Sequence, residues 1–146
     1  MNIYRAKPKD LPGLLHLMQK QFLEHEIEFD LDQLEAAIIH LLTHEELGFA
    51  LTAKDGDQSV GIAVIPFAWT LEHGGKSAWL DELYVLPGYR NAGIGTLLIE
   101  RLMKEAEKAG CLAVDLEVEV DHRRVEALYE RMGFEKLARS RWVRRV

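Results

Sequence analysis

The segment Leu83-Tyr84-Val85-Leu86-Pro87-Gly88-Tyr89-Arg90-Asn91-Ala92-Gly93-Ile94-Gly95-Thr96 constrains the fold more than any other stretch of the chain. It reads as a buried strand, a glycine-bearing turn and the opening of a long helix. From Gly93 to Ala109, Ile94, Leu97, Leu98, Leu102 and Ala106 recur on one side, and Gly110 closes the run. A helix start presents unpaired backbone N–H groups and the positive end of the helix dipole. An anion, above all a pyrophosphate, fits there. Gly93 and Gly95 leave room for close approach, Arg90 adds charge and Thr96 a hydroxyl. The two common nucleotide loops are excluded. A dinucleotide fingerprint needs a glycine where Leu98 stands, and a P-loop needs a lysine where Thr96 stands. Taken alone, G-x-G at a helix start serves tight helix–strand packing equally well.

The elements around this turn alternate. Residues 2–6 read as a strand. Asp10 is placed to cap a helix with Pro12 in its first turn, along which Leu11, Leu15, Met18 and Phe22 recur. A second helix follows Asp30 or Asp32, with Leu34, Ala37, Ile38, Leu41 and Leu42 on one face. Strands are predicted at 47–53, 59–69 and 77–85, separated by turns at Asp55-Gly56 and Gly74-Gly75 and ended by Pro87-Gly88. Residues 112–118 read as a buried strand. Asp121 is placed to cap a short helix carrying Val125, Leu128, Tyr129 and Met132, which Gly133 stops. Residues 134–137 and 141–146 read as two last strands. The order β-α-α-β-β-β-α-β-α-β-β implies an α/β fold with a mixed sheet and helices on its faces. With neither linker nor repeat, residues 1–146 read as a single domain.

Composition narrows the function. The net charge of −6 disfavours nucleic-acid binding, which needs a basic footprint. Cys111 is the one cysteine, so neither a disulfide framework nor a cysteine zinc site is expected. No apolar run approaches about 18 residues and no leader pattern is seen, so no membrane partner is expected and a cytoplasmic location is the default. The charges are uneven. Residues 21–53 lack Lys and Arg but hold Glu24, Glu26, Glu28, Asp30, Asp32, Glu35, Glu45 and Glu46. The last eleven residues hold Lys136, Arg139, Arg141, Arg144 and Arg145 and no acid. Such runs are solvated faces, or an acidic rim that draws in a cationic ligand.

A second motif lies downstream, in Leu116-Glu117-Val118-Glu119-Val120-Asp121-His122-Arg123-Arg124-Val125-Glu126-Ala127-Leu128-Tyr129-Glu130-Arg131-Met132-Gly133-Phe134. Together the two segments resemble the GCN5-related N-acetyltransferase (GNAT) family. Its pattern V-x-P-x-x-R/Q-x-x-G-x-G/A is met by Val85, Pro87, Arg90, Gly93 and Gly95. Its N-x-x-A-x-x-x-Y-x-x-x-G-F is met by Tyr129, Gly133 and Phe134. His122 stands where the family often has Asn, and Val125 where it has Ala. The resemblance covers about residues 47–138. Within the family, the long third hairpin and the run from Leu80 to Val85 look most like the diamine, or small-amine, branch. Leu116-Glu117-Val118 looks more like the branch that modifies protein N-termini.

The resemblance implies a mostly antiparallel central sheet flanked by about four helices, with two parallel strands splayed at a cofactor cleft. Acetyl-CoA would be the co-substrate and an amine the acceptor. Pantetheine would pair with the backbone of Leu83, Tyr84 and Val85, helped by His122. The pyrophosphate would lie on Asn91, Ala92, Gly93, Ile94, Gly95 and Thr96, with Arg90 nearby. A backbone N–H near Leu83 would face the carbonyl oxygen. Tyr129 would be the acid for the leaving thiolate. Three carboxylates stand open as the base: Asp81, Glu117 and Glu82. Alternation along the strand places Asp81 with Leu83 and Val85, and Glu82 with Tyr84 on the other face.

Other residues read more plainly. His40 and His44 lack a third ligand, so no metal is expected. His73 reads as hairpin surface and Cys111 as a small buried apolar residue. Trp69 and Trp79 read as a cross-strand pair or an acceptor wall. Trp142 reads as core or subunit interface, and the last strand is one route to a homodimer. The implied function is acetyl transfer to an amine, a cationic small molecule, since Glu24–Glu35 falls where the family builds its acceptor cleft. The alternatives are a protein N-terminal or lysine acetyltransferase, and a non-catalytic acyl-CoA-binding regulator.

Overall fold

The computed structural model describes residues 1–119 and 122–146. Among them run β1 (Asn2–Arg5), α1 (Leu11–Glu24), α2 (Leu31–Thr43), β2 (Gly48–Asp55), β3 (Gln58–Thr70), β4 (Gly75–Leu80), β5 (Glu82–Val85), α3 (Ile94–Lys108), β6 (Val114–Leu116) and α4 (Arg123–Arg131). The sheet has the order β1-β2-β3-β4-β6, with β5 also paired to β3. All pairings are antiparallel except β4 with β6, which is parallel.

The middle of β3 explains the layering. Ser59, Val60, Gly61, Ile62 and Ala63 are all buried in succession. A strand buried at every position has both faces covered. Helix α3 rides over Gly61, where an added Cβ would come within 3.3 Å of Ile94 and Leu98. Helix α1 crosses at Ser59, which its Gly13 meets without a side chain between them. Leu14, Leu17, Leu51, Ile62, Leu98 and Leu102 have essentially no exposure and form the core's centre. Asp30 caps α2 as expected, accepting the Gln33 N–H at 3.0 Å.

Several expectations need correction. Asp10 does not cap α1 with its side chain. The buried carboxylate instead accepts from the Tyr4 hydroxyl at 2.9 Å and the Lys7 N–H at 2.8 Å, with the Lys54 ammonium at 3.5 Å. The strand expected at 112–118 pairs only over Val114–Leu116, and Cys111 lies before it, half-buried rather than buried. The two last strands are absent: residues 134–146 hold no regular structure. Trp142 is 90% exposed and so is not core. Neither segment has the strict apolar–polar alternation of a half-buried strand, and neither joins a sheet edge. The Asp121 cap lies outside the described residues.

The strand expected at 77–85 is two strands. Phe67 faces Ala78, whereas Val64 faces Glu82 instead of Asp81, so one extra residue is inserted before β5. The Val64 carbonyl also accepts the Asp81 N–H at 2.9 Å. This is a β-bulge, which bends a strand and breaks its side-chain alternation.

Candidate active site

The bulge opens a fork in the sheet. Beside β4, β6 pairs through Leu80 and Leu116 and then stops. Beyond that point β5 has β3 on one edge and no strand of the described residues on the other. The ladder's two-residue period fixes which backbone groups face the gap. Leu86 donates its N–H to the Val60 carbonyl at 2.9 Å, on the β3 side. Tyr84 and Glu82 therefore also turn their backbone groups to β3, while Leu83 and Val85 turn theirs to the open edge. The Val85 carbonyl is taken by Arg90 Nε at 2.8 Å. The Leu83 N–H and C=O and the Val85 N–H remain at an edge that an extended ligand can join as an extra strand.

At the end of β5 the chain turns into α3 through a concave loop. Asn91 (φ 63°) and Gly93 (φ 83°) both adopt the left-handed conformation. Alternation of left- and right-handed residues turns successive N–H groups inward, forming a nest for an anion. No side chain caps α3. A Cβ built on Gly93 or Gly95 would meet nothing within 4 Å, so the space before the helix is open. Arg124, in the first turn of α4, donates to the Asn91 side chain and ties the helix bearing Tyr129 to this loop.

The bulge also gathers the carboxylates. Sequence alternation separates Asp81 from Glu82, but the charges of Asp81 and Glu117 both act on Glu82. Burial raises Glu82 to about 7, with the Asp81 charge adding to it. Asp81 lies at the surface of the fork, yet the walls around its carboxyl raise its pKa, against the lowering effect of Arg141. Glu117, one residue beyond β6, is exposed and accepts from Arg141 Nη1 at 2.6 Å. Gln21 of α1, a residue the sequence did not single out, lies against Glu82, and its buried Oε1 has no partner. The Gln21 side-chain bond favours the ionised form of Glu82, partly offsetting burial and the Asp81 charge.

Tyr129 is half-buried on α4, packed against the core and edge-on to Phe134, with ring centroids 5.7 Å apart. Burial raises its phenol pKa, which keeps the hydroxyl protonated. His122 stands exposed immediately before α4, its carbonyl accepting the Glu126 N–H at 3.1 Å.

One cluster was not visible in the sequence. Glu24, the last residue of α1, accepts from the Tyr84 hydroxyl at 2.7 Å and from Arg90 Nη2 at 3.0 Å. The Tyr84 hydroxyl bond and the Arg90 charge hold the Glu24 carboxyl below its ordinary value, while burial and Glu24 push Tyr84 up to about 12. These partners are 60 and 66 residues apart, so spacing carries no trace of them. The cluster joins the nest to the α1–α2 connection, where Phe22, Leu23, Glu26, Ile27, Glu28 and Phe29 line an open hollow of about 550 Å³.

Other assignments change. Trp69 faces Lys76, not Trp79, and is 75% exposed, while Trp79 faces Asp115 of β6. His73 is half-buried, its Nε2 2.8 Å from Asp115 Oδ2. The His40 and His44 rings stack at 3.9 Å, and His44 Nδ1 bonds the His40 carbonyl. Among the described residues no group of three or more His, Cys, Asp or Glu is placed to hold a metal ion, and no helix is long and apolar enough to cross a membrane.

Comparison with known proteins agrees with this geometry. The family model described as acetyltransferase (GNAT) family matches residues 11–134. A mycothiol acetyltransferase of Propionibacterium freudenreichii subsp. shermanii is 32% identical over 87% of this chain, which spans 47% of that relative. A thialysine N-epsilon-acetyltransferase of Mus musculus is 26% identical over 94% of this chain and 86% of its own. Among solved structures, an integron cassette protein from the mobile metagenome of Cole Harbour Salt Marsh superposes with a TM-score of 0.88 at 25% identity. That match covers 99% of this chain and 90% of the other.

Proposed function

The chain belongs to the acetyltransferase (GNAT) family, and from that premise we propose that it transfers an acetyl group from acetyl-CoA to an amine acceptor, a cationic small molecule. The observation that carries the reading is the fork: an unpaired strand edge leading directly to an uncapped helix start with open space before it. Those features fit acetyl-CoA. Its diphosphate suits the N–H groups of residues 91–96 and the Arg90 charge, and its amide-bearing arm suits the edge of Leu83 and Val85, with His122 proposed as a further partner of that arm. Tyr84 contributes by bonding Glu24 rather than through its own backbone.

When bound, acetyl-CoA supplies the thioester carbonyl that the amine attacks. The chain's own groups do the rest. Glu82, with a pKa near neutrality, takes the proton from the acceptor ammonium. The Leu83 N–H donates towards the carbonyl oxygen as negative charge develops there. Tyr129 holds a proton at Oη for the departing sulfur. Asp81, Glu117 and the acidic α1–α2 connection favour a positively charged acceptor, and relatives include a thialysine and an aminoglycoside acetyltransferase.

The direct test is acetyl-CoA with a panel of small amines and peptides, read by mass. Gain of one acetyl group by cationic small amines is expected. Labelling of peptides alone would reassign the acceptor, and acetyl-CoA binding without any labelling would make the protein a regulator. The nest has its own test. Gly95→Ala replaces a helix glycine with a better helix former, so Tm stays level or rises. The methyl fills the space assigned to the diphosphate, and the Kd for acetyl-CoA should rise by roughly tenfold, as about 1.4 kcal/mol of lost contact would give. An unchanged Kd by calorimetry would move the anion elsewhere.

A further inference from the structure

We infer that Trp79 and Glu117 form a seat for a second positive charge on the acceptor, and that the chain's own Arg141 occupies this seat from the C-terminal segment. The inference rests on the transferase reading above and names a specificity element within it.

The seat lies where the sheet divides. Trp79 pairs with Asp115, and Glu117 stands two residues further along, so the three share one face of the β4–β6 ribbon. Arg141 meets both sides of the seat. Its Nη1 is 2.6 Å from Glu117 Oε1, and its Cζ lies 5.8 Å from the centre of the Trp79 ring. A carboxylate beside an aromatic face is the arrangement that holds a guanidinium or an alkylammonium. Trp79, Arg141 and Glu117 all act on Asp81, the bulge residue between β4 and β5, and the Glu117 charge also reaches Glu82, so a cation in the seat lies close to the proposed base.

The occupant is weakly held and close at hand. The tail from residue 135 onward is exposed and without regular structure, and Arg139 tethers it through Glu72 at 2.8 Å. The Arg141 and Glu117 side chains are 60% and 50% exposed. An ion pair of that kind contributes little, yet a tethered group competes at high effective concentration. A dicationic acceptor would thus displace Arg141 to bind, whereas an amine with a single charge has no use for the seat.

Putrescine and n-butylamine are suitable probes, since they share a chain and differ by one cation. Wild-type protein is expected to favour putrescine in kcat/KM. In Arg141→Ala the KM for putrescine should fall by roughly 1.4- to five-fold, the range set by an exposed pair, and by clearly more than the KM for n-butylamine. Arg141→Lys should restore the wild-type value, and Trp79→Leu should abolish the putrescine preference. A second reading needs no turnover. The Trp79 indole N–H resonance of isotope-labelled protein should shift on adding putrescine, at lower concentration in Arg141→Ala than in wild type. A silent indole in both proteins, or an unchanged putrescine KM in Arg141→Ala, overturns the inference. An indole that responds in protein acetylating no amine would instead sink the transferase reading and leave the seat standing.

Discussion

Glu82→Gln is expected to lower kcat by roughly 10²–10⁴-fold, the usual contribution of a positioned general base. The variant should also lose a limb of the pH profile. The ionised carboxylate is the form that accepts a proton, so wild-type kcat/KM should climb as pH rises through about 7, where burial and the Asp81 charge set this group. The amide has no such titration, so its residual rate should lack that rise. A stability measurement gives an independent reading of the same group. The folded carboxyl keeps its proton up to about 7, while in the unfolded chain it loses it near the ordinary value of 4.5. Between those values the native state binds more protons, so stability falls as pH rises. The Gln variant should not show this component, and its Tm at about pH 8 should exceed that of wild type. If the variant turns over normally and the neutral limb persists, the base is Asp81 or Glu117.

The second large effect is expected at Tyr129. Tyr129→Phe should reduce kcat by roughly 10²-fold or more while leaving Tm and the Kd for acetyl-CoA nearly unchanged. The ring packs edge-on against Phe134 and the core, and Phe preserves those contacts. Only the hydroxyl is lost. Burial keeps that hydroxyl protonated at neutral pH, the state a proton donor needs. The loss should shrink for an acetyl thioester of a more acidic thiol, because such a leaving group needs less help. Unchanged kcat across pH, or a loss equal for all thioesters, would leave Tyr129 a core aromatic and no acid. The two variants can be compared directly: Glu82→Gln alters the pH profile, and Tyr129→Phe alters the leaving-group dependence.

Much of the frame was legible because it depends on local pattern. The α3 boundaries follow from apolar spacing and from Gly93 and Gly110, both of which take positive φ. The β3 boundaries follow from its turns. The acceptor-side details were not legible. Asp81 and Glu82 appear on opposite faces when alternation is assumed, and only the pairing with Val64 exposes the inserted residue. Gln21 comes to the site from α1 with nothing in its neighbourhood to mark it, and Glu24 is marked only as one of an acidic run, not as the partner of Tyr84 and Arg90. The tail misled in the opposite way: residues 134–137 and 141–146 look like strands, yet they pair with no strand among the described residues and stay exposed or half-buried without regular structure.

The chain by itself determined the helix and strand propensities, the left-handed glycines before and after α3, and the two motifs that link this protein to its family. Each of these is fixed by a few neighbouring residues, through sterics and hydrophobic period. Tertiary structure alone decided where the sheet parts, which carboxyl is pressed out of water and which arginine lies across the fork. Those depend on which edge lies beside which, and a one-residue shift in pairing, invisible to any local rule, redirects them all.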